Sequence, residues 1–475
     1  MIADLKPYPD YKATAQAWVG DVPRHWSVVP NRALFAEVKD RNHPDDEMLS
    51  VTITRGIVRQ KTLLAGSSKK DSSNLDKSAY KLVQPSDIAY NKMRAWQGAI
   101  AASDLRGIIS PAYVVMRLRE DDNLPHYFHH LYRTPQFAKE AERWSYGITS
   151  DMWSLRPEHF RMIYTPEPPP DEQAVIVRFL DWANGRLERA IRAKQKVIKL
   201  LNEQKQAIIH RAVTRGLDPS VALKPSGIPW LGNIPKHWES WRISRFARIG
   251  NGSTPSRGKP NYWSGGTYPW LNSSQVNRGI IDSADQFVTT AALRECHLPR
   301  VPAGSLLVAI TGQGKTRGTA AVLGVEATIN QHIAYITARA SVVSPEFLHL
   351  TFIAAYQVLR ALSEDSGSTK GALTCEDLKR FKVALPPIPE QLIVVERVRV
   401  ETQTLNATIS RLEREIELLR EYRTRLVADV VTGKLDVRDA ARNLPEAAEP
   451  LDTPEANADD LDTVESEDEP VESEA

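Results

Sequence analysis

Two long stretches of this chain share one spacing of apolar residues. Between Glu172 and Val213 there is no proline, and Gly185 is the only glycine. Seam positions fall at Leu187, Ile191, Lys194, Ile198, Leu201, Lys205, Ile208 and Ala212, alternately four and three residues apart. Adding 218 to each gives Leu405, Ile409, Leu412, Ile416, Leu419, Arg423, Leu426 and Val430. Such spacing puts one stripe on one helix face, and over about three heptads it predicts coiled-coil pairing. Each helix should have about 40 residues and form a rod of about 60 Å at a rise of 1.5 Å per residue. The proline-rich runs at Pro166–Pro170 and Pro386–Pro389 stop what precedes and set each helix start. Both seams carry a basic residue at the same core position, Lys205 and Arg423. The shared register predicts that the helices pair with each other, antiparallel, and act as a ruler between the regions they connect.

Those regions, residues 27–168 and 239–386, read differently. Short β-rich runs such as Met48–Ile53, Ala112–Met116 and Ser305–Ile310 are separated by turn signals. A helical patch from Pro345 to Leu362 has Phe347, Leu350, Ile353 and Leu359 at helical spacing. Each region predicts a compact α+β domain.

The frame around the two domains is duplicated. Ala17-Trp18-Val19-Gly20-Asp21-Val22-Pro23-Arg24-His25-Trp26 recurs at an offset of 212 as Pro229-Trp230-Leu231-Gly232-Asn233-Ile234-Pro235-Lys236-His237-Trp238. Pro169-Pro170-Asp171-Glu172-Gln173 recurs at 218 as Pro387-Ile388-Pro389-Glu390-Gln391, and Val213-Thr214-Arg215-Gly216-Leu217-Asp218 as Val431-Thr432-Gly433-Lys434-Leu435-Asp436. A short-period array would imply a solenoid. One long repeat predicts two homologous domains and a pseudo-twofold molecule. The expected divisions are a first domain at 1–168, a first spacer helix at 169–214, a linker and second domain at 215–386, a second spacer helix at 387–432, and a C-terminal segment with a disordered acidic tail at 433–475.

Composition sharpens this picture. The formal net charge is only +2, but residues 446–475 hold 13 acidic and no basic residues. The remainder has 61 basic against 46 acidic residues, a net +15, and a body that basic usually faces a polyanion. Two cysteines, Cys296 and Cys375, exclude a disulfide scaffold and fit a reducing compartment. The N-terminal residues lack the apolar core of a signal peptide, and no apolar run approaches a membrane span. A cytoplasmic protein without a membrane partner is expected.

Polar, basic and aromatic clusters in turn-like positions are the candidates for meeting that polyanion. The first domain offers Asn91, Lys92, Arg94, Trp96 and Gln97. The second offers Ser253, Thr254 and Arg257, then Asn272, Ser274 and Gln275, and then Gln313, Lys315 and Arg317. Glycine-rich backbone approaches phosphates closely, while Arg, Lys, Asn and Gln supply donors and acceptors for base edges. The loops after Ser86–Tyr90 and Ser305–Ile310 are the strongest because both follow a strand. Catalytic motifs are not evident. Ser305–Thr316 resembles a strand and phosphate loop, but Ala309 stands where the nucleotide motif needs glycine. Pro9-Asp10 with Glu37-Val38-Lys39 makes a poor nuclease pattern, and His126, His129 and His130 have no cysteine partners for a metal. No metal or catalytic residue is assigned.

The combination resembles the DNA-specificity subunit of Type I restriction–modification enzymes, over essentially residues 1–440. Its most specific elements are Ser226–Trp238 and Leu385–Gln391; the first copy is more degenerate, with Ala13–Ala17 where Ser-Gly-Ile is expected. The resemblance implies two target-recognition domains separated by antiparallel conserved helices, with Leu187, Ile191, Ile198, Leu201, Ile208, Leu405, Ile409, Leu412, Ile416, Leu419 and Leu426 in the pairing seam. Each domain would read one half of a bipartite, asymmetric site in double-stranded DNA. The subunit itself would hold no cofactor. Two methyltransferase subunits and restriction/translocase subunits would be its partners, using S-adenosylmethionine, ATP and magnesium. The alternatives are the DNA-specificity module of another multisubunit methyltransferase-nuclease, and a duplicated coiled-coil scaffold that binds only proteins.

Overall fold

A computed structural model describes residues 5–64, 76–147, 152–312, 315–364, 371–442 and 444. The chain forms two compact units, residues 1–194 with 414–475, and residues 195–413. The acidic tail beyond residue 444 lies outside the described residues.

In the first unit β1 (Ser27–Pro30) follows directly on His25-Trp26, and then come β2 (Phe35–Val38), β3 (Ile88–Asn91), β4 (Ile100–Ala102), β5 (Tyr113–Leu118) and β6 (Tyr164–Glu167). A four-stranded antiparallel sheet has the order β2-β5-β3-β4, with Val38 opposite Val115 and Asn91 opposite Tyr113. Separately, β6 pairs with β1, bringing the end of the domain back to its beginning. The core beneath the sheet is rich in rings. Phe35 packs edge-on to Phe128 at 5.2 Å, and Tyr132 lies 4.5 Å from Phe137, arrangements that add to ordinary burial.

After β6 comes α1 (Pro170–Arg215), and the second unit then repeats the plan. Its strands are β7 (Glu239–Arg242), β8 (Ala247–Asn251), β9 (Leu306–Ala309), β10 (Ala320–Leu323), β11 (Ile333–Ala338) and β12 (Lys382–Leu385), followed by α2 (Ile388–Val431). The sheet order β8-β11-β9-β10 matches that of the first unit strand for strand, with Ile280–Ile281 added in parallel beyond β10. The closing pair is β7 with β12. The helical patch forms as two helices, Pro345–Ala354 and Tyr356–Glu364, the first capped by Ser344.

Each unit contains half of each long helix, and in each the halves run antiparallel. In the first, Arg423 lies 3.3 Å from Glu188 and Lys194 lies 2.5 Å from Glu415, so numbers rise along one helix as they fall along the other. In the second, Lys205 donates to Asn406 Oδ1 at 2.8 Å, while Ala212 and Val213 share a core with Val394 and Val398. Leu187, Ile191, Ile409, Ile416 and Leu426 are buried; Ile198, Leu201, Ile208, Leu405, Leu412 and Leu419 are half-buried, all on the seam. Lys205–Asn406 and Arg423–Glu188 are the same contact in the two copies, related by 218 residues.

The duplicated motifs lock each helix start to its domain. Trp26 is fully buried and donates through Nε1 to Glu172 Oε1 at 3.1 Å, while His25 Nε2 lies 2.7 Å from Glu172 Oε2. In the second copy Trp238 donates to Glu390 Oε1 at 3.0 Å and His237 Nε2 lies 2.8 Å from Oε2. The glutamates sit in the first helical turn, where the helix dipole favours negative charge. The adjacent glutamines tie the helix to its entry: Gln173 donates to Pro168 O and accepts from Leu124 N, as Gln391 donates to Pro386 O and accepts from Ser344 N. The helices end alike. Gly216 and Gly433 take the left-handed conformation just past each C-terminus, at φ +74° and +77°, and a Cβ on Gly433 would collide with Pro23 and Trp26.

One difference follows from chain connectivity. In the second unit Gly216 leads directly into the strand Leu223–Pro225, which pairs with Asn233–Pro235. In the first, the corresponding helix end is the end of α2. Here Asp436 N donates to Lys6 O at 2.8 Å and Tyr11 Oη to Gly433 O at 3.1 Å, so the C-terminal segment closes on the N-terminus.

Candidate nucleic-acid interface

In an antiparallel sheet the C-terminal ends of two strands share an edge with the N-terminal end of the strand between them. In the first domain this edge is formed by the ends of β2 and β3 and the start of β5. In the second it is formed by the ends of β8 and β9 and the start of β11. The loops after β3 and β9, the strongest sequence candidates, lie at this edge, and so does the loop after β8.

In the first domain the edge is basic. Lys39 and Arg41 follow β2 and are exposed, Lys92 follows β3, and Lys81 pairs with Arg41 through a β-bridge. Lys81 is buried and its Nζ donates to Tyr113 O, at the start of β5, at 2.5 Å. Burial first, then the charge of Lys92, and more weakly Arg41 and Lys39, hold its ammonium below the usual lysine range, while Glu37 opposes the shift. Lys39, Arg41 and Lys92 put three cations on one edge, as a phosphate backbone calls for, while Lys81 is turned inward to Tyr113 O. The loop after β3 is well anchored. Asn91 Oδ1 accepts from Met93 N at 2.9 Å, Trp96 Nε1 donates to Met93 O at 2.9 Å, and Trp96 packs against Trp153. The Arg94 carbonyl accepts from Gln97 N and Ala99 N, and exposed Gln97 stands at the loop tip before left-handed Gly98. Behind the loop, Arg133 donates to the carbonyls of Ile53, Thr54 and Ile100; burial first, and then Arg423, bring its pKa down to about 10.

In the second domain the edge is polar. Thr254 Oγ1 donates to Gln331 Oε1 at 2.6 Å, Gln331 Nε2 lies 3.2 Å from His332 Nε2, and His332 Nδ1 lies 2.7 Å from Thr311 Oγ1. This network joins the loops after β8 and β9 to the start of β11. Asn272 and Ser274 lie beside them: Asn330 N donates to Leu271 O, and Asn272 Oδ1 accepts from Ser274 N and Oγ. Ser253 and Arg257 belong to a loop clamped by rings. Trp270 Nε1 donates to Ser253 O, Trp263 Nε1 to Ser256 O, and the Arg257 guanidinium lies 3.8 Å from the Trp263 ring centre while donating to Gln286. Lys315 is exposed, and its carbonyl accepts from Tyr356 Oη.

Two sequence candidates do not stand at this surface. Gln275 is 2% exposed, and its Oε1 accepts from Asn272 N in a capping box at Ser273–Arg278. Arg317 is 7% exposed and donates to Gly371 O and Glu364 Oε1. Both are held by internal hydrogen bonds that the sequence does not display. Gln313 lies outside the described residues. Sequence reasoning missed Lys39, Arg41, Gln331 and His332. The available signal was their position beside strands whose ends meet, which becomes visible only once the strand order is known.

Comparison with known proteins accords with this architecture. Residues 235–418 match the model of the Type I restriction modification DNA specificity domain. The second half of the chain is thus similar to the DNA specificity domain of Type I restriction–modification enzymes. Among its relatives, the Escherichia coli EcoR124I/EcoR124II specificity subunit is 25% identical over 233 residues, 46% of this chain and 57% of that protein. The MjaIX specificity subunit of Methanocaldococcus jannaschii is 29% identical over 164 residues, 34% of this chain and 37% of that one. The matched stretches thus span about a third to somewhat over half of these relatives. A solved chain from a study of assembly and conformational transition in a type I R-M system has a similar fold, with TM-score 0.61 at 17% identity, covering 87% of this chain and 99% of that one. Among the described residues, no helix is long and apolar enough to cross a membrane.

Proposed function

We propose that this chain is the non-catalytic DNA-specificity subunit of a Type I restriction–modification complex. Each domain reads one half of a bipartite, asymmetric site in double-stranded DNA. The chain directs two methyltransferase subunits and restriction/translocase subunits, which bring S-adenosylmethionine, ATP and magnesium. The observation that carries this reading is one frame with two different edges: equivalent strand ends carry converging lysines and arginine in the first domain, and a network of Thr, Gln and His in the second. Equal frames with unequal edges suit two different half-sites.

The test is to exchange residues 239–386 for the matching region of another family member and map methylated bases in host DNA by sequencing. One half of the motif should change and the other persist. A folded chimera that loses or changes both halves would sink modular reading. A filter-binding assay with genomic DNA separates this function from a protein-only scaffold, which would retain no DNA.

A further inference from the structure

We infer that Gln331 reads an adenine in the half-site of the second domain, with its amide held for that purpose by Thr254 and by His332, which Thr311 holds in turn. This rests on the DNA-specificity function proposed above and adds the residue and the base.

Gln331 is exposed at the start of β11, on the shared edge. Its side chain has two acceptor lone pairs on Oε1 and two donor hydrogens on Nε2. Thr254 donates to Oε1 at 2.6 Å, using one lone pair. Nε2 can only donate, so at 3.2 Å it gives one hydrogen to His332 Nε2. His332 Nδ1 in turn lies 2.7 Å from Thr311 Oγ1. The histidine cannot drift, because its backbone N–H donates to Asn330 Oδ1 and its carbonyl accepts from Ile310 N. With a hydroxyl at each end, the chain of bonds uses one lone pair of Oε1 and one hydrogen of Nε2 whichever way it runs.

One acceptor and one donor remain. In the major groove adenine presents N7 as acceptor and the N6 amino group as donor; guanine presents two acceptors, cytosine a donor alone, and thymine an acceptor beside a methyl group. Only adenine needs one of each from a single side chain. Preorganisation matters because a free glutamine can flip its amide and loses rotamer freedom on binding. The network is absent from the first domain, where Asn42, Met93, Pro111 and Ala112 hold the places of Thr254, Thr311, Gln331 and His332. The adenine readout should therefore belong to one half-site only.

The experiment uses the full chain co-expressed with its methyltransferase subunits, with methylated motifs mapped on genomic DNA. Gln331→Ala should relax one A·T pair in one half-site, with a loss of discrimination of about tenfold to a hundredfold. The other half-site should stay unchanged. Gln331→Glu leaves only acceptors, which suit the cytosine amino group, so preference at that pair should move from adenine towards cytosine. An unchanged motif in both variants, relaxation at a pair other than A·T, or loss of methylation at all sites by a folded complex would each overturn the assignment. If the wild-type complex methylates no bipartite motif, the functional proposal itself fails, and that result is distinct from any variant outcome.

Discussion

At the scale of the residue, the two copies of the helix lock differ in a way that stability measurements can read. Glu172 is 6% exposed and Glu390 30%. Glu172 also accepts from Tyr8 Oη at 2.5 Å, and burial first, then this carboxylate, push the Tyr8 phenol far above its ordinary value, keeping it a donor. Removing a buried acceptor strands its donors at about 1–3 kcal/mol. Glu172→Ala should therefore cost about 2–3 kcal/mol and Glu390→Ala about 1 kcal/mol, read as shifts in urea midpoint with a probe for each unit. Equal costs would show that burial does not separate the two locks. A second residue sets a pH dependence. His129 is half-buried on the helix Pro125–Tyr132 and accepts from Ala102 N through Nδ1. Burial first, and then His130 and Arg133, hold it well below the usual histidine value. The unfolded chain thus binds a proton that the folded chain refuses. Stability from this group is present above about pH 6.5 and falls below it, by at most about 1.4 kcal/mol per pH unit. His129→Gln should flatten the decline in urea midpoint between pH 7.5 and 5.5; an unchanged slope would exclude His129 as its source.

At the scale of the element, α1 and α2 are helices of 46 and 44 residues with a common seam. Inserting four residues lengthens a helix by about 6 Å and turns it by about 400°, so the seam nearly realigns. DNA rises about 3.4 Å per base pair. Matched four-residue insertions in both helices should lengthen the unspecified gap by one or two base pairs with both half-sites unchanged. Two-residue insertions turn the seam by about 200° and should abolish assembly. The methylated motif of each variant is the measurement. An active four-residue variant with the original gap would assign the helices to packing alone.

At the scale of the whole molecule, charge dominates. Residues 1–445 carry a net +15, against 13 acidic residues in the last 30. Binding by the assembled methyltransferase should weaken with salt, with a log–log slope of about −0.9 per phosphate neutralised. Charge-removing variants at Lys39 and Arg41 should each make that slope shallower by about one and leave the methylated motif as it was. A flat salt response in the wild type would count against the electrostatic account. Deleting residues 446–475 should also leave the motif unchanged, and an altered motif would give the tail a part in recognition.

The duplication, the two long helices and their seam follow from the local sequence pattern. A heptad pattern is local: Ile191 and Ile409 lie on a stripe whatever lies opposite, and the 218-residue offset requires their copies to do the same. The meaning of the repeated His-Trp and Glu-Gln motifs was less legible. Trp26 and Glu172 are 146 residues apart, and only folding shows that they form one hydrogen bond. The edge of each sheet was decided by tertiary structure alone. Lys39, Lys81 and Lys92 lie on three separate segments, as do Thr254, Thr311 and Gln331, and strand order brings each set together. The same packing took Gln275 and Arg317 out of the candidate surface. A polar side chain reads alike in sequence whether it faces solvent or satisfies a buried carbonyl, and that choice depends on which segments pack beside it.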